Sequence, residues 1–357
     1  MSESRQPRSI IRVNDQEFPC VTDWDVENNR FFDADTFRVE FAVSGFPQGR
    51  GPAWWLDTDD LFVEVLAGFP SDPNNFTAGE LVSLIYGRVD DLDWNLGDPT
   101  MIVSGRDLTS QMIDTKTSEK YPNKKASDIA GVIAAKYGLT PKIAATSERV
   151  GTYYDQDHVR LQSEQTEWDL LTWLAREEGF QVYVSGRNLY FGPVGEVAEP
   201  MKLVYTPPTD FAPAQIDQEQ VSFSQVKTLA KDISVTVKSW NPKKKRVFKD
   251  TARGAGGHGQ AQEYVRNIPG LDQQQVRDRA KQILAELTQH EMNLNFSGPA
   301  THNLVIGQKI ELTGTGTRAD QSYYPDTIRR IMSGSYGEGY DWTVAAKNHS
   351  PENETSL

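Results

Sequence analysis

A chain of 357 residues, 38% hydrophobic and 24% charged, holds enough apolar material for two or three folded domains. Thirty-seven basic residues against 50 acidic ones leave a net charge of −13, which disfavours nucleic acid as a tight ligand because phosphate binding needs a basic footprint. No apolar run reaches the roughly 18 residues of a membrane span, and the first residues lack the apolar segment of a secretory signal. The single cysteine, Cys20, excludes an internal disulfide and a cysteine-built metal site, so folding in a reducing cytoplasm is expected.

The first hundred residues read as strands. β-type runs at 10–13, 36–43, 61–66, 81–89 and 100–103 are separated by turn residues such as Ser44-Gly45 and Asp98-Pro99. Phe37, Val39, Phe41 and Val43 alternate with Arg38, Glu40 and Ala42, the period of a half-buried strand. Short strands in this number predict a barrel or sandwich. The stretch MIVSGRDLTSQMID (101–114) ends this region. Its Gly105-Arg106-Asp107 turn is either a catalytic corner or a junction between modules. Asp107 can cap a following short helix that turns Leu108, Met112 and Ile113 inward, and this favours the junction.

The middle predicts a compact α+β module. Ser127 is expected to cap a helix presenting Ile129, Val132, Ile133, Lys136 and Tyr137 on one face, with Gly138 as its stop. Thr166 is expected to cap a second helix with Trp168, Leu171, Leu174 and Ala175 inward. FQVYV-SGRN-LYF then reads as a hairpin around Gly186. In the last part Ile233, Val235 and Val237 alternate with polar residues, and Val276, Ala280, Ile283 and Leu287 form one helical stripe.

The two strand-rich parts share three blocks in the same order. FRVEFAVSG (37–45) pairs with MNLNFSG (292–298), and DLFVEVLAG (60–68) with IGQKIELTG (306–314). IYGRVDDLDW…TMIVSGRD (85–107) pairs with DTIRRIMSGSY…DWTVAAKN (326–348). The ordered set points to a duplicated barrel; two unrelated antiparallel β-domains are the alternative.

Candidate chemistry is thin. GAGGHG (254–259) matches a dinucleotide fingerprint in form, but Pro269-Gly270 precede the next helix and no βαβ unit frames it. KKKR (243–246) reads as a solvated strand turn that guards an exposed edge, with phosphate or partner contact as the alternative. His158, His258, His290, His302 and His349 make no metal-binding spacing. Glu167, Glu177 and Glu178 lie on the Trp-rich helix, where a carboxylate pair for glycan hydrolysis would be sought.

Several segments carry a resemblance as an ordered set: IIRVNDQEF, TFRVEF, LFVEVLAG, YGRVDDLDW, VSGRDLTSQMID, YPNKKASDIAGVIAAKYGL, EQTEWDLLTWLAREEGFQVYVSGRNLYFGP, ISVTVKSWNPKKK and YDWTVAAKN. In this order they resemble the phage late control gene D family, the hub proteins of contractile tail baseplates, and the hub portion of type VI secretion spike proteins. The likeness runs over about residues 8–348.

The fold it implies is mainly β with an α+β insertion, two tube-like antiparallel β-barrels flanking an α/β module. The first barrel would occupy 8–105 and the inserted module 106–200. The second barrel, with a helix at about 272–290, would occupy 201–348, and 349–357 would be a flexible tail. The resemblance also implies a homotrimeric ring whose six barrels imitate a hexameric tail-tube ring. A tube protein or tube initiator would bind one face and a spike protein the other, alongside further baseplate proteins. No oligonucleotide-fold and β-helix extension follows Asn348, so the spike is expected to be a separate chain. Neither specific nucleic acid binding nor membrane insertion is expected, nor any catalytic residue, cofactor or metal. The expected location is the tail baseplate of a virion or similar particle, assembled in the bacterial host cytoplasm. A muralytic or glycan-binding tail component built on the middle module is the alternative, and a single-barrel tube subunit fits the length and the duplication less well.

Overall fold

The computed structural model describes residues 6–30, 32–117, 121, 124–146, 165–178, 180–193, 199–225, 233–241, 246–254, 262–268, 270–289, 292–334 and 339–348. Most of GAGGHG, the lysines of KKKR, Pro269, His158, His258, His290, His349 and the tail 349–357 lie outside the described residues. The chain divides into two compact units. The first comprises Met1–Val197, Ser297–Ile306 and Thr327–Val344; the second comprises Ala198–Phe296, Gly307–Asp326 and Ala345–Leu357.

The first unit opens with β1 (Arg8–Val13), β2 (Gln16–Glu17), β3 (Val21–Asn29), β4 (Thr36–Ala42), helix α1 (Pro52–Asp57), β5 (Phe62–Gly68), β6 (Val82–Asn95) and β7 (Thr100–Asp107). These strands form a curled half-barrel sheet in the order β3-β4-β7-β6-β5-β1-β2, antiparallel at every pairing. Alternation decides which face is inside. Phe37, Val39 and Phe41 of β4 are buried, as are Met101, Val103, Gly105 and Asp107 of β7. The register sets Phe41 opposite Met101, Val39 opposite Val103 and Phe37 opposite Gly105. Each fully buried side chain of this size contributes roughly 1.5–3 kcal/mol.

Strand β3 and helix α1 escaped the sequence reading. In β3, Asp23, Asp25 and Glu27 point outward and hide the alternation of Trp24 and Val26, which are 1% and 0% exposed. Helix α1 starts with Pro52 in its first turn and delivers a buried Trp55. That indole meets Phe18 and Phe41 at 5.5 Å and stacks on Phe46 at 5.7 Å. Aromatic contacts of this geometry are worth about 0.5–1.5 kcal/mol each beyond the area they bury.

The first unit continues with α2 (Thr109–Asp114), β8 (Lys116–Thr117), α3 (Ala126–Lys136), β9 (Thr140–Ile143), β10 (Gln165–Thr166), α4 (Glu167–Glu178), β11 (Phe180–Ser185) and β12 (Asn188–Pro193). β11 and β12 form the expected hairpin, turned by Gly186 at φ 57°, and β9 runs parallel to β12. Thr166 caps α4 as expected: its hydroxyl accepts the Asp169 N–H at 3.0 Å, and Asp169 accepts the Thr166 N–H at 3.0 Å. The first helix differs from expectation. It starts at Ala126, one residue before Ser127, whose hydroxyl bonds Thr146 instead. Its inner face is Ile129, Ala130, Ile133 and Ala134, while Val132 is 38% exposed. Small alanines on that face let α3 approach its neighbours closely. The module's core also reaches Phe32, Phe62 and Tyr86, and the Trp168 indole N–H donates to the Phe32 carbonyl at 2.7 Å.

The second unit contains β13 (Met201–Val204), β14 (Glu219–Gln225), β15 (Ile233–Asn241), β16 (Arg246–Arg253), β17 (Gln262–Asn267), α5 (Gln273–Gln289) and β19 (Ile310–Thr313). It also holds the greater part of β18 (Met292–Pro299), the start of β20 (Ser322–Ser333) and the end of β21 (Tyr340–Lys347). Its sheet order is β14-β18-β21-β20-β19-β13. This order corresponds strand for strand to β3-β4-β7-β6-β5-β1 of the first unit, in the same chain sequence. β13 lies parallel to β19, where β1 and β5 are antiparallel. Between β14 and β18 the chain makes an excursion: a sheet β16-β15-β17 covered by α5, with Val276, Ala280 and Ile283 buried on Val235, Val237 and Phe248. In the first unit Thr327–Ser333 of β20 adds to β3, pairing Arg330 with Val26. Among the described residues no helix is long and apolar enough to cross a membrane.

The tightest point of the first sheet lies between β6 and β7. A Cβ added to Gly105 would stand 2.0 Å from the Arg88 carbonyl oxygen, and one added to Gly87 would stand 2.3 Å from that of Arg106. The Phe37 ring covers both positions, within 2.9 Å of either added Cβ. A bulge between Val89 and Asp91 follows directly. Gly105→Ala is therefore expected to cost about 2–4 kcal/mol, because backbone rather than a flexible side chain must move. Urea denaturation of the variant checks this, and an unchanged midpoint would contradict the close approach.

Candidate functional site

The Gly-Arg-Asp turn sits where β7 hands over to α2. Arg106 reaches Asp90 of β6 with Nε at 2.6 Å and Asp114 of α2 with Nη2 at 2.9 Å, so its fork ties the sheet to the helix. Both carboxylates raise the guanidinium's proton affinity. Asp107, 5% exposed, caps α2: its carboxylate accepts the Thr109 N–H at 3.1 Å and the Thr109 hydroxyl at 3.0 Å. The Ser110 hydroxyl donates to the Asp107 carbonyl at 2.8 Å. Leu108 and Met112 are buried and Ile113 partly so, as the junction reading requires.

Behind this turn lies a polar knot that the sequence did not reveal. Asp35, just before β4, accepts the Asn29 N–H at 2.7 Å and the Asn28 side-chain amide at 2.9 Å. The Asp35 carbonyl accepts the Asp107 N–H at 3.0 Å. Asn28 in turn accepts Nη1 of Arg330 at 2.9 Å. Arg330, 2% exposed, spends its other donors on the carbonyls of Thr301 and Leu304. These groups line a cavity of about 150 Å³ together with Tyr183 and His302.

Loss of water is the largest influence on the proton affinities here. It pushes the Asp35 carboxyl up to about 6, against the opposing pull of its two amide donors and Arg330. It also pushes Asp107 well above the usual range, and the neighbouring Asp35 charge adds to that. Arg330 is moved down by the same burial and back up by Tyr340 and Asp35. A raised carboxylate pair is the raw material of acid catalysis. Here both Asp107 oxygens are engaged by Thr109 and both Asp35 oxygens by β3 amides, so the arrangement braces strands rather than presenting a free acid.

The other sequence candidates fall apart in space. Glu167 is fully buried and accepts Nζ of Lys136 at 2.7 Å, which draws α4 to α3. Glu177 and Glu178 lie ten and eleven residues further along the same helix, on the order of 15 Å away at a rise of ~1.5 Å per residue. That exceeds the roughly 5–9.5 Å between paired glycosidase carboxylates. His302 lies in the seam cavity, 5.9 Å from the Phe69 ring. Among the described residues no group of three or more His, Cys, Asp or Glu gathers to hold a metal. One signal of the knot was present in the sequence: Arg330 occupies an inward position of β20, two residues after buried Ile328.

The knot makes stability depend on pH. Asp35 binds its proton more tightly folded than unfolded, so its contribution is full below about pH 4 and is lost as pH rises through about 6. The shift from 3.8 to about 6 corresponds to about 3 kcal/mol. Asp35→Asn, which cannot ionise, is expected to show a smaller fall in melting temperature between pH 4 and pH 7 than the unaltered chain. Parallel melting curves across that range would count against this origin.

A family model described as phage tail baseplate hub (GPD) matches residues 107–334, more than half of the chain. Among solved structures, a tail protein from Neisseria meningitidis is 15% identical with a TM-score of 0.69, over 96% of each chain. A 43 kDa tail protein of a Shewanella oneidensis prophage is 13% identical with a TM-score of 0.68, over 98% of this chain and 99% of that one. An E. coli component of the type VI secretion system is 10% identical with a TM-score of 0.55, over 97% and 79%. At such identities the likeness is one of fold. No curated protein matches by sequence. The family match itself begins on the seam aspartate, Asp107, and runs through the whole α/β module into β20, and the chain belongs to the phage tail baseplate hub family.

Proposed function

We propose that this chain is the structural hub of a contractile tail or related injection machine. Three copies form a ring that joins the hexameric tail tube on one face to a trimeric central spike on the other. The role is one of assembly rather than catalysis. The observation that carries the proposal is the repeated strand order, β3-β4-β7-β6-β5-β1 and β14-β18-β21-β20-β19-β13, within one chain. Two similar sheets per chain let three chains offer six similar positions, so a three-fold object can adapt to a six-fold one. A gene duplication accounts for the repeat, with a first barrel at 8–105, the module at 106–200, a second barrel at 201–348 and a tail at 349–357.

The tube protein or its initiator, a separate spike chain and other baseplate proteins are the proposed partners. Assembly would take place in the host cytoplasm. The acidic balance of the chain, −13 overall, suits a passage through which nucleic acid slides without sticking. Cryo-microscopy or mass measurement of assembled particles is expected to find three copies of the chain in one baseplate ring. Six copies per ring, or absence from the baseplate, would overturn the proposal.

A further inference from the structure

The second unit carries a projecting apolar tip and an apolar cleft that the tip cannot reach. After β13 the chain forms a narrow hairpin, closed by pairing of Thr206 with Gln215 and of Thr209 with Ala212. The turn is braced: the Thr209 hydroxyl accepts the Ala212 N–H at 3.1 Å, and Pro207, Pro208 and Pro213 restrict the flanking backbone. Phe211 stands in this turn, 98% exposed. A single exposed aromatic is ordinary on a protein surface. One fixed at the end of a proline-braced hairpin is not free to turn inward, and its exposed area is a standing invitation to a partner.

The cleft lies at the other end of the same hairpin. Ile216, Val221, Phe223, Leu294 and Leu312 give it an apolar floor, beside Tyr205. Its volume is about 380 Å³, ample for one phenyl ring. Phe223 is 41% exposed there on β14, which among the described residues has a single paired neighbour, β18. Tyr205 and Ile216 adjoin the pair Thr206 and Gln215 that closes the hairpin base. Four to five extended residues therefore hold the tip roughly 15 Å from the cleft of its own chain. Charge agrees with the fit. Asp210 precedes Phe211 at the tip, and Arg318 stands exposed in the loop whose Thr317 and Ala319 line the cleft.

We propose that Phe211 of one copy seats in the Val221–Phe223–Leu312 cleft of a second copy of this chain, with Asp210 meeting Arg318. Tip and cleft are different surfaces, so the contact can repeat head-to-tail, and such a contact generates a ring when the rotation from one copy to the next closes. The inference rests on the proposed ring and names the surface that holds it together.

The test uses assembled particles in which Cys20→Ala removes the native thiol and Asp210→Cys is combined with Arg318→Cys, which leaves Phe211 in place to hold the contact. Mild oxidation is expected to link copies of the chain covalently, while either cysteine alone gives no link. Particles that contain three copies yet give no link overturn the contact and leave the ring reading standing. Linked copies in a ring of another number keep the contact and overturn the ring reading. Asp210→Arg is expected to lower incorporation into particles at least about threefold, the scale of one lost ion pair turned repulsive. Adding Arg318→Asp is expected to restore it. Failure of the second change to rescue the first would remove the charge pairing from the proposal. Because Phe211 is 98% exposed, Phe211→Ser is expected to melt as the unaltered chain does, and full incorporation of that variant would overturn the contact.

Discussion

A guanidinium that loses its water must recover its hydrogen bonds from the protein, and few positions in a small barrel can supply them. Arg330 recovers them from Asn28, Thr301 and Leu304, with the Asp35 charge close enough to affect its ionisation. Removing one member of such a set leaves the others buried and unpaired, which typically costs more than the set contributes when intact. Within the first unit this arrangement fixes the added strand β20 against β3 and fixes the approach to β4. Asp35 then holds Asp107 through the backbone, and Asp107 starts α2. The α/β module thus begins from a point whose position is set by strands far away in sequence.

Much of this was legible in the residues. The alternation of Phe37, Val39 and Phe41 gave β4, the Thr166 cap gave α4, and Asp107 gave the junction. In each case the signal is local: a period, a cap or a turn residue that acts within a few positions. What was missed depends on partners distant in sequence. Strand β3 reads as acidic because its outward Asp23 and Asp25 find arginines on neighbouring strands; Asp23 meets Arg38 at 2.8 Å and Asp25 meets Arg329. Val132 looked like core because it is apolar, yet the alanines beside it form the buried face. The polar knot needed residues 28, 35, 107 and 330 together, and no local period joins them.

The low identity to the tail proteins of similar fold has a physical reading. Alternating burial asks only that inward residues be apolar and of suitable volume, and many side chains satisfy that. An identity of 15% alongside a TM-score of 0.69 is compatible with such a fold. The stricter requirements are few in this chain: two glycines where β6 and β7 touch, a capping aspartate, and a buried arginine with its acceptors.

The excursion between β14 and β18 has a consequence of its own. Among the described residues its core cluster draws only on residues between Ile233 and Leu287. A segment with a private core and strands of its own can open and reclose as a cooperative block, at a free energy set by that core alone. Because it enters from one sheet strand and returns to the next, such opening leaves the order of the sheet untouched. By that measure the second unit is expected to open as two foldons, the excursion and the sheet that carries it.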